Sequence, residues 1–291
     1  MLLPTATILR LGRHGACSMI PVSFTKMLHQ SYRDHETGRA REVVTGVFGD
    51  VAGAYAAARP DYPAELYRVL AALAGRPLDE AIVVDVGAGT GIAARQMRDR
   101  GARVLAVEPS EGMLGELVAA SPGVQVIRGD GNALPLRDGI ADFVTFAQAW
   151  HWLSPGRAMP EAWRVLRPGG TMAAWWNLTA RVQRWEVEQE ERLVAACPGY
   201  REGRDRYPGA RGTDVVALPT GAPIQTAEFG WSRRVPLDVH LANLNSKSYV
   251  ASLGRDDAAA FLATERAALR AWFPGEMITE NYRTVLNLVR T

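Results

Sequence analysis

The sequence has little cysteine and no grouping of residues typical of a metal site. Only two of its 291 residues are cysteine, Cys17 and Cys197. Such sparse usage offers no disulfide framework and favours a reducing compartment. The five histidines are isolated from the cysteines and from one another, whereas metal ligands cluster. We therefore expect a cytoplasmic protein without a metal.

The sequence also lacks a membrane-length apolar run and a concentration of charge of one sign. No stretch approaches the roughly 20 apolar residues that a membrane helix needs. The apolar residues 1–9 carry their positive charge after the run, opposite to a signal peptide. The 33 Lys and Arg nearly balance the 31 Asp and Glu, without a basic stripe. These absences argue against membrane and nucleic-acid partners. A small acidic substrate stays compatible, since one well-placed arginine suffices to bind it.

From residue 81 onward, short apolar runs alternate with helical segments. The runs are AIVVDVG (81–87), ARVLAVE (102–108), VQVIRGD (124–130), DFVTFA (142–147) and TMAAWW (171–176). Each reads as a strand buried on both faces, and the segments between them have helical spacing. This alternation predicts an α/β fold, a parallel sheet with helices on both faces.

Regions outside this alternation set the predicted domain organisation. Residues 1 to about 25 read as a weakly structured tail, and residues 27–44 as a helix that covers the pocket or exchanges between subunits of a homo-oligomer. A helix is predicted to begin near Pro63. After the fifth strand, an insertion over about 180–220 is the expected lid, followed by a strand (223–235), two helical stretches and a last strand (282–291). We expect a tail over 1–47 and one domain over 48–291.

A glycine loop follows the first strand and opens a helix. It reads Gly87-Ala88-Gly89-Thr90-Gly91. Glycines allow a sharp turn and a close approach to a ligand, and the helix N-terminus presents free N–H groups. A nicotinamide-dinucleotide site requires Gly-x-Gly-x-x-Gly. Here the third glycine comes one place early, so the cofactor need not be a pyrophosphate.

Two carboxylates near this loop indicate the kind of ligand. Asp85 stands at the loop entrance, where it suits a cationic ligand better than a pyrophosphate. Glu108 ends the second strand, and its spacing of about 20 residues suits a carboxylate that binds two ribose hydroxyls. S-adenosylmethionine (SAM) carries a sulfonium, an ammonium and a ribose, and matches both features.

These motifs resemble those of the class I SAM-dependent methyltransferases. VVDVGAGTG (83–91) is similar to motif I of that family, and VLAVEPSEGML (104–114) to motif II. Residues 128–153 resemble the next two motifs, and residues 161–177 the fifth strand with its preceding helix. The arm FGDVAGAYAAARPDYP (48–63) is similar to the segment before motif I in the branch of trans-aconitate, quinone and actinobacterial natural-product methyltransferases. The resemblance implies a Rossmann-like, seven-stranded, mostly parallel sheet in the order 3-2-1-4-5-7-6, with the last strand antiparallel.

The resemblance also implies roles for individual residues in holding SAM. Glu108 would bind the ribose, Met113 would pack on the adenine, and Asp130 would accept from the adenine amino group. Gln148 would close the methionine end, and Arg59 could pair with the cofactor carboxylate. The complete expected set is Tyr55, Arg59, Asp85, Gly87, Ala88, Gly89, Glu108, Pro109, Met113, Asp130, Gly131, Asn132 and Gln148. Two of these residues also have purely structural explanations: aspartate is common in turns, as at Asp130, and methionine is common in the core, as at Met113.

Beyond the fourth strand lies the candidate catalytic group, His151. It stands at the sheet edge where ligands bind, and a histidine can act as a base near neutrality. A pocket-wall or cofactor-contact role is the open alternative. Tryptophans concentrate around it, and the expected acceptor pocket is Trp150, His151, Trp152, Trp176 and Asn177. Trp175 and Trp185 belong to the same group of tryptophans. We expect at least two members of this group to pack in the core or the lid rather than to line the pocket.

Three functions remain compatible with the sequence. The leading one is transfer of a methyl group from SAM to an O, C or N atom of a small molecule, in secondary metabolism. A non-catalytic SAM-binding partner protein is the second. A nicotinamide-dependent oxidoreductase is the third, disfavoured by the displaced glycine.

Overall fold

The structure is a computed structural model that describes residues 6–11, 17–22, 58–200 and 223–291. Its strands are β1 (Ala6–Leu11), β2 (Cys17–Val22), β3 (Ile82–Val86), β4 (Arg103–Glu108), β5 (Gln125–Arg128), β6 (Ala141–Ala147), β7 (Leu166–Thr179), β8 (Gln225–Pro236) and β9 (Met277–Arg290). Its helices are α1 (Ala64–Ala74), α2 (Ile92–Arg98), α3 (Glu111–Ala120), α4 (Pro155–Val165), α5 (Arg184–Ala196), α6 (Leu237–Asn245), α7 (Ser248–Ala251) and α8 (Arg255–Trp272), with a 3₁₀ turn over Trp150–Trp152.

Seven strands form the predicted sheet. They lie in the order β5-β4-β3-β6-β7-β9-β8, which in chain order is 3-2-1-4-5-7-6. Strands β3 to β7 are parallel to one another, whereas β9 is antiparallel to both β7 and β8. The predicted fold class and strand order are therefore confirmed. Side chains alternate along each strand, so Val83 joins the apolar cluster on one face while Val84 and Val86 join the cluster on the other.

The N-terminal region differs from the predicted tail. Strands β1 and β2 form an antiparallel hairpin, and β1 pairs in parallel with β8. In the seven-stranded sheet β8 is an edge strand, and an edge presents unpaired backbone groups that favour strand addition. The sheet thus has nine strands. The helix predicted over 27–44 lies outside the described residues.

Strand β5 differs from the prediction of burial on both faces. Its four residues are half-buried or exposed, whereas β6 is buried along nearly its whole length. The difference follows from position, because β5 is the other edge of the sheet and β6 lies near its centre.

A ribbon of two strands carries a group of helices beyond the sheet. β9 pairs with β7 only from Tyr282 onward, but with β8 from Met277 onward. The first residues of β9 therefore project past the carboxyl edge of the parallel strands. Helices α6 to α8 connect β8 to β9 at this projecting end, and α5 follows β7 there. We call α5 to α8 the cap.

The cap has apolar clusters of its own. Trp185 of α5 packs with Leu237 and Leu241 of α6 and with Leu269 of α8. A second cluster joins the end of α5 to α6, α7 and α8. Of the predicted lid insertion over 180–220, residues 180–200 contribute α5 to the cap, and the remainder lies outside the described residues.

The ends of three helices have local causes in the sequence. Pro63 is the residue before α1, and Gly75 ends that helix with φ +64°. Ser110 caps α3 by accepting a hydrogen bond from the backbone N–H of Met113. The glycine loop ends at Gly91, which begins α2.

The opposite, amino-terminal edge of the sheet depends on one buried carboxylate, and this predicts a stability difference. Asp142 accepts from the backbone N–H of Ile82 at 2.8 Å and pairs with the guanidinium groups of Arg76 and Arg167. We expect Asp142→Ala to lower the free energy of unfolding by about 2 kcal/mol, because it removes charge-assisted hydrogen bonds from a buried position. The matched control is Arg128→Ala, whose ion pair with Glu111 is exposed on both sides and should contribute little. Urea titration measures both, and equal midpoints for the two variants would contradict the assignment.

Candidate cofactor and acceptor site

The residues predicted to hold the cofactor follow neighbouring strands at one edge of the sheet. Asp85 lies near the end of β3, Glu108 ends β4, and Gln148 follows β6. Because the carboxyl ends of parallel strands share one edge, the fold brings together residues that are far apart in sequence. These residues therefore lie at the sheet edge where ligands bind in open α/β folds.

The glycine loop is shaped by positive φ angles, but its glycines serve different purposes. Gly87 and Gly89 have φ of +67° and +56°. A Cβ added at Gly87 would lie 2.6 Å from the Cβ of Ala149, whereas one added at Gly89 would meet nothing within 4 Å. Gly87 thus lets the loop pack against the segment after β6. Gly89 leaves a backbone surface open to a ligand.

Glu108 joins the glycine loop to the next turn. Its carboxylate accepts from the backbone N–H of Gly89 at 2.9 Å through one oxygen and from that of Ser110 at 2.9 Å through the other. Burial raises the pKa of Glu108, and these two hydrogen bonds oppose that shift. Each carboxylate oxygen has a second lone pair, so two hydroxyl groups can still be accepted.

Asp85 is a buried carboxylate with one oxygen unsatisfied. The Thr145 hydroxyl donates to Oδ1 at 2.8 Å, and Oδ2 has no hydrogen-bond partner among the described residues. Burial raises the pKa of Asp85 to about 7, against the hydrogen bond from Thr145 and with the charge of Glu108 adding to the increase. A buried acceptor without a partner is costly, and a cationic group would relieve that cost.

The loop after β5 forms a tight turn. Oδ1 of Asp130 accepts from the backbone N–H and the side-chain amide of Asn132, and Oδ1 of Asn132 accepts from the N–H of Ser154. A Cβ at Gly131 would lie 2.6 Å from Val86. Asp130 therefore acts as a turn residue, which was the structural alternative to its predicted cofactor role. The turn lies against β3 and the start of α4. Nearby, Met113 is buried in the first turn of α3 while Pro109 is exposed.

The segment after β6 combines a strained backbone with a neutral histidine. Gln148 adopts φ +56°, a conformation that costs a non-glycine residue free energy and that clusters at functional sites. Nε1 of Trp176 donates to Nδ1 of His151 at 3.2 Å. Burial lowers the pKa of His151 to about 4, and the positive charge of Arg59 adds to this effect.

The tryptophans divide between core and surface. Trp150 is 2% exposed and packs edge-to-face on Phe146 inside the sheet's apolar cluster, so its assignment to the acceptor pocket is wrong. Trp175 is likewise in the core, against Tyr62. This agrees with the expectation that some of the tryptophans are packing residues. Trp152 is 46% exposed, tilted against His151.

Asn177 and Arg59 hold elements together. The Asn177 amide donates to the carbonyl of Asp61 at 3.3 Å, and its oxygen accepts from Thr284 at 2.7 Å. Both ends of the side chain thereby help to dock the segment before α1 onto the sheet, and the predicted substrate contact would use the second N–H or the second lone pair of the amide. Arg59 donates to the side chain and the carbonyl of Ser246 at 2.9 Å. Tyr55 lies outside the described residues.

The sequence reasoning missed a cleft between the sheet edge and the cap. It has about 620 Å³ of empty space, including its open mouth. Its lining includes Trp185, Glu186, Gln189, Tyr200, His240, Lys247, Tyr249, Glu280 and Tyr282. These residues come from β9 and several cap helices, and no short motif connects them, so only their three-dimensional placement reveals the site.

A buried hydrogen-bonded chain lines this cleft. His240 contacts Glu280 at 2.7 Å through Nδ1 and Gln189 at 3.0 Å through Nε2, and Gln189 also donates to Glu265. Although burial alone would raise the pKa of Glu280, its bonds with His240 and the charge of Arg233 hold that pKa at about 2. Among the described residues, no group of three potential metal ligands and no helix of membrane-spanning length and apolarity is found.

Comparisons with known proteins agree with this arrangement. A family model described as a methyltransferase domain matches residues 84–174. A methyltransferase of Mycobacterium tuberculosis strain H37Rv is 36% identical over 203 residues, which cover 69% of this chain and 76% of the relative. Demethylmenaquinone methyltransferase of Beutenbergia cavernae is 34% identical over 120 residues, 40% of this chain and 49% of that protein. A solved type II methyltransferase from Anaeromyxobacter dehalogenans has a TM-score of 0.62 at 26% identity, covering 80% of this chain and 97% of its own.

The different roles of the glycines predict different effects of alanine. Gly87→Ala should lower the free energy of unfolding by about 2–3 kcal/mol, because it adds a steric clash to a positive φ. Gly89→Ala should cost about 1 kcal/mol for its φ alone while weakening S-adenosylhomocysteine binding by at least about tenfold. Urea unfolding and calorimetry measure these two effects.

The control for Gly89 is Gly139, which also has a positive φ (+63°) and open space where a Cβ would lie, but stands in the turn before β6. Gly139→Ala should cost as much stability as Gly89→Ala and leave ligand affinity unchanged. Equal ligand affinity for the Gly89 and Gly139 variants would show that the open side of Gly89 is not a binding surface.

Proposed function

Because this chain belongs to the methyltransferase family and is a SAM-dependent methyltransferase, we propose that it methylates an O, C or N atom of a small organic acceptor in secondary metabolism. The observation that best supports binding of SAM is the pair of carboxylates at the glycine loop. The sheet edge supplies a ribose acceptor at Glu108 and an unsatisfied buried anion at Asp85.

The residues present fit SAM by two independent features. Oδ2 of Asp85 is a buried acceptor without a partner, and the ligand brings positive charge. The open side of Gly89 provides backbone surface next to the Glu108 carboxylate. When bound, SAM supplies an electrophilic methyl group on a sulfonium.

The other residues at this edge of the sheet are proposed to contact the adenine and methionine parts of SAM. Asp130, held in direction by its hydrogen bonds from Asn132, accepts from the adenine amino group. Met113 presents a buried thioether in the first turn of α3. Gln148, held in a strained conformation, closes the methionine end. Ala88, Pro109 and Gly131 complete the set as wall residues.

We further propose that His151 is a wall and hydrogen-bonding residue rather than a general base. The indole N–H of Trp176 can only donate, so Nδ1 of His151 accepts and the neutral ring carries its proton on Nε2. The only lone pair of the ring is thereby engaged. A general base must also take up a proton as the methyl group is transferred, and a pKa of about 4 makes the neutral ring a weak proton acceptor. Catalysis then rests on positioning and on exclusion of water.

The acceptor is proposed to approach from the side of β7 and the cap. Trp176 and Trp152 flank His151 there, and the cleft between β9 and the cap opens at the same sheet edge. One relative is a demethylmenaquinone methyltransferase, which supports an acceptor with a flat ring. Its alignment covers less than half of either chain, so the class of acceptor rests mainly on the cleft.

The state of Asp85 predicts how ligand affinity depends on pH. Its pKa of about 7 is raised above the usual value of 3.8, so it is largely protonated below pH 7 and ionised above. A cationic ligand favours the ionised form. S-adenosylhomocysteine, whose ammonium group provides the charge, should therefore bind about tenfold more tightly at pH 7.5 than at pH 6. Calorimetry in buffers of equal ionic strength measures this.

The control for that titration is Asp85→Asn, which keeps the size of the side chain and cannot ionise. Its affinity should be lower than that of the wild type at pH 7.5 and should not change between pH 6 and 7.5. A wild-type affinity that is flat over this range would contradict the role of Asp85.

The tautomer of His151 is directly measurable. In long-range ¹H–¹⁵N spectra, His151 should be neutral and protonated on Nε2 from pH 5.5 to 8, with its signal assigned by His151→Gln. A titration midpoint near 6.5, or a proton on Nδ1, would restore the general-base assignment.

A further inference from the structure

The cleft described above is enclosed by aromatic and apolar side chains on the cap side. Trp185 and Leu193 come from α5, and Leu244 ends the apolar face of α6. Tyr200 and Tyr249 meet edge-to-face with ring centroids 4.8 Å apart. Side chains of this kind can contact the apolar part of a small organic molecule, while the polar groups beside them fix its orientation.

Most of the charges that line the cleft are already compensated. Arg181 pairs with Glu190 at 2.5 Å. The Glu186 carboxylate accepts from the backbone N–H groups of Val182 and Gln183 and from the side chain of Asn281. Glu280 accepts from Arg233 at 2.6 Å and from Tyr282 at 2.8 Å, besides its bond to His240. These groups need no ligand to satisfy them.

Lys247 is the exception. It stands before α7 and lines the cleft, and no carboxylate of the described residues lies within 4.0 Å of its amine. The sequence contains only two lysines, Lys26 and Lys247, while its other basic residues are arginines. Burial lowers the pKa of Lys247 well below its usual value, and the neighbouring charges of Arg59 and Arg233 lower it further, with Glu280 in opposition.

The cleft and the cofactor edge share a neighbour in Arg59. Its guanidinium is bonded to Ser246, the residue before Lys247, and its charge acts on both Lys247 and His151. Arg59 thus connects the cleft residue Lys247 with the segment that follows β6.

We propose that this cleft binds an acceptor that carries an anionic group, a carboxylate or a phosphate, and that Lys247 is the residue that holds it. This inference rests on the proposed methyl-transfer function and names the class of its acceptor. A half-buried ammonium that has no carboxylate partner among the described residues, and on which the charges of Arg59 and Arg233 also act, is costly, and an anion supplies the missing counter-charge. The aromatic lining would contact the apolar part of the same molecule.

The test uses the full chain, saturated with S-adenosylhomocysteine, and three probes. Trans-cinnamate and phenyl phosphate carry the two anionic groups, and cinnamamide is the neutral match of cinnamate. We expect at least one anion to bind about tenfold or more tightly than cinnamamide. Comparison of cinnamate with phenyl phosphate then distinguishes a carboxylate site from a phosphate site.

A second readout reports on the lysine itself. Protein labelled with ¹³C at lysine Cε should give two signals, which Lys247→Gln assigns. Addition of the preferred anion should shift the Lys247 signal and raise its titration midpoint by about one unit or more, whereas cinnamamide should not. Direct contact with the anion predicts this change, and a purely structural lysine does not.

Variants separate this proposal from the methyltransferase function. Lys247→Gln should remove the preference for the anion over cinnamamide without changing S-adenosylhomocysteine affinity, and Lys247→Arg should keep the preference. Arg234→Gln, which removes an exposed positive charge of β8, should change neither. Equal binding of anion and amide, no binding of either anion, or an unchanged preference in Lys247→Gln would overturn the proposal. Absence of S-adenosylhomocysteine binding in the wild type would instead count against the proposed function, and the probes can still be titrated alone.

Discussion

The site depends on one carboxylate that is held by two backbone N–H groups. Glu108 joins the glycine loop after β3 to the turn before α3 through Gly89 and Ser110. Without this bridge, a loop built from glycines with positive φ would have many conformations and a high entropic cost of ordering. The bridge fixes the loop before any ligand binds and leaves lone pairs on the same carboxylate. Preorganisation of this kind lowers the cost of binding.

Near that bridge, two features that are proposed to serve ligand binding lower the stability of the free protein. Asp85 is buried with an unsatisfied oxygen and a pKa raised to about 7, and Gln148 holds a strained backbone conformation. Both features cost stability in the free protein. They coincide with the edge at which a cationic nucleoside is proposed to bind, and strain of this kind is commonly retained where it serves function.

The cofactor edge could be predicted from sequence because its residues lie in short segments that repeat a strand, a turn and a helix. Asp85, Gly89 and Glu108 occupy positions that strand periodicity alone places at one edge. The acceptor side could not be predicted in this way. His240, Lys247 and Glu280 come from separate elements, and Gln189 reaches Glu265 across 76 positions of chain. Trp150, in the turn that follows β6, was assigned to the pocket because the sequence does not show whether a tryptophan at this position faces the core or a pocket. The edge of β8 likewise carries no signal that identifies β1 as its partner.

This glycine loop is proposed to select SAM and its product S-adenosylhomocysteine over a dinucleotide. Calorimetric titration of the wild-type protein at pH 7.5 with S-adenosylhomocysteine and, separately, with NAD tests it most directly. The account predicts one S-adenosylhomocysteine site per chain and no heat of binding from NAD. Binding of NAD without binding of S-adenosylhomocysteine would contradict it.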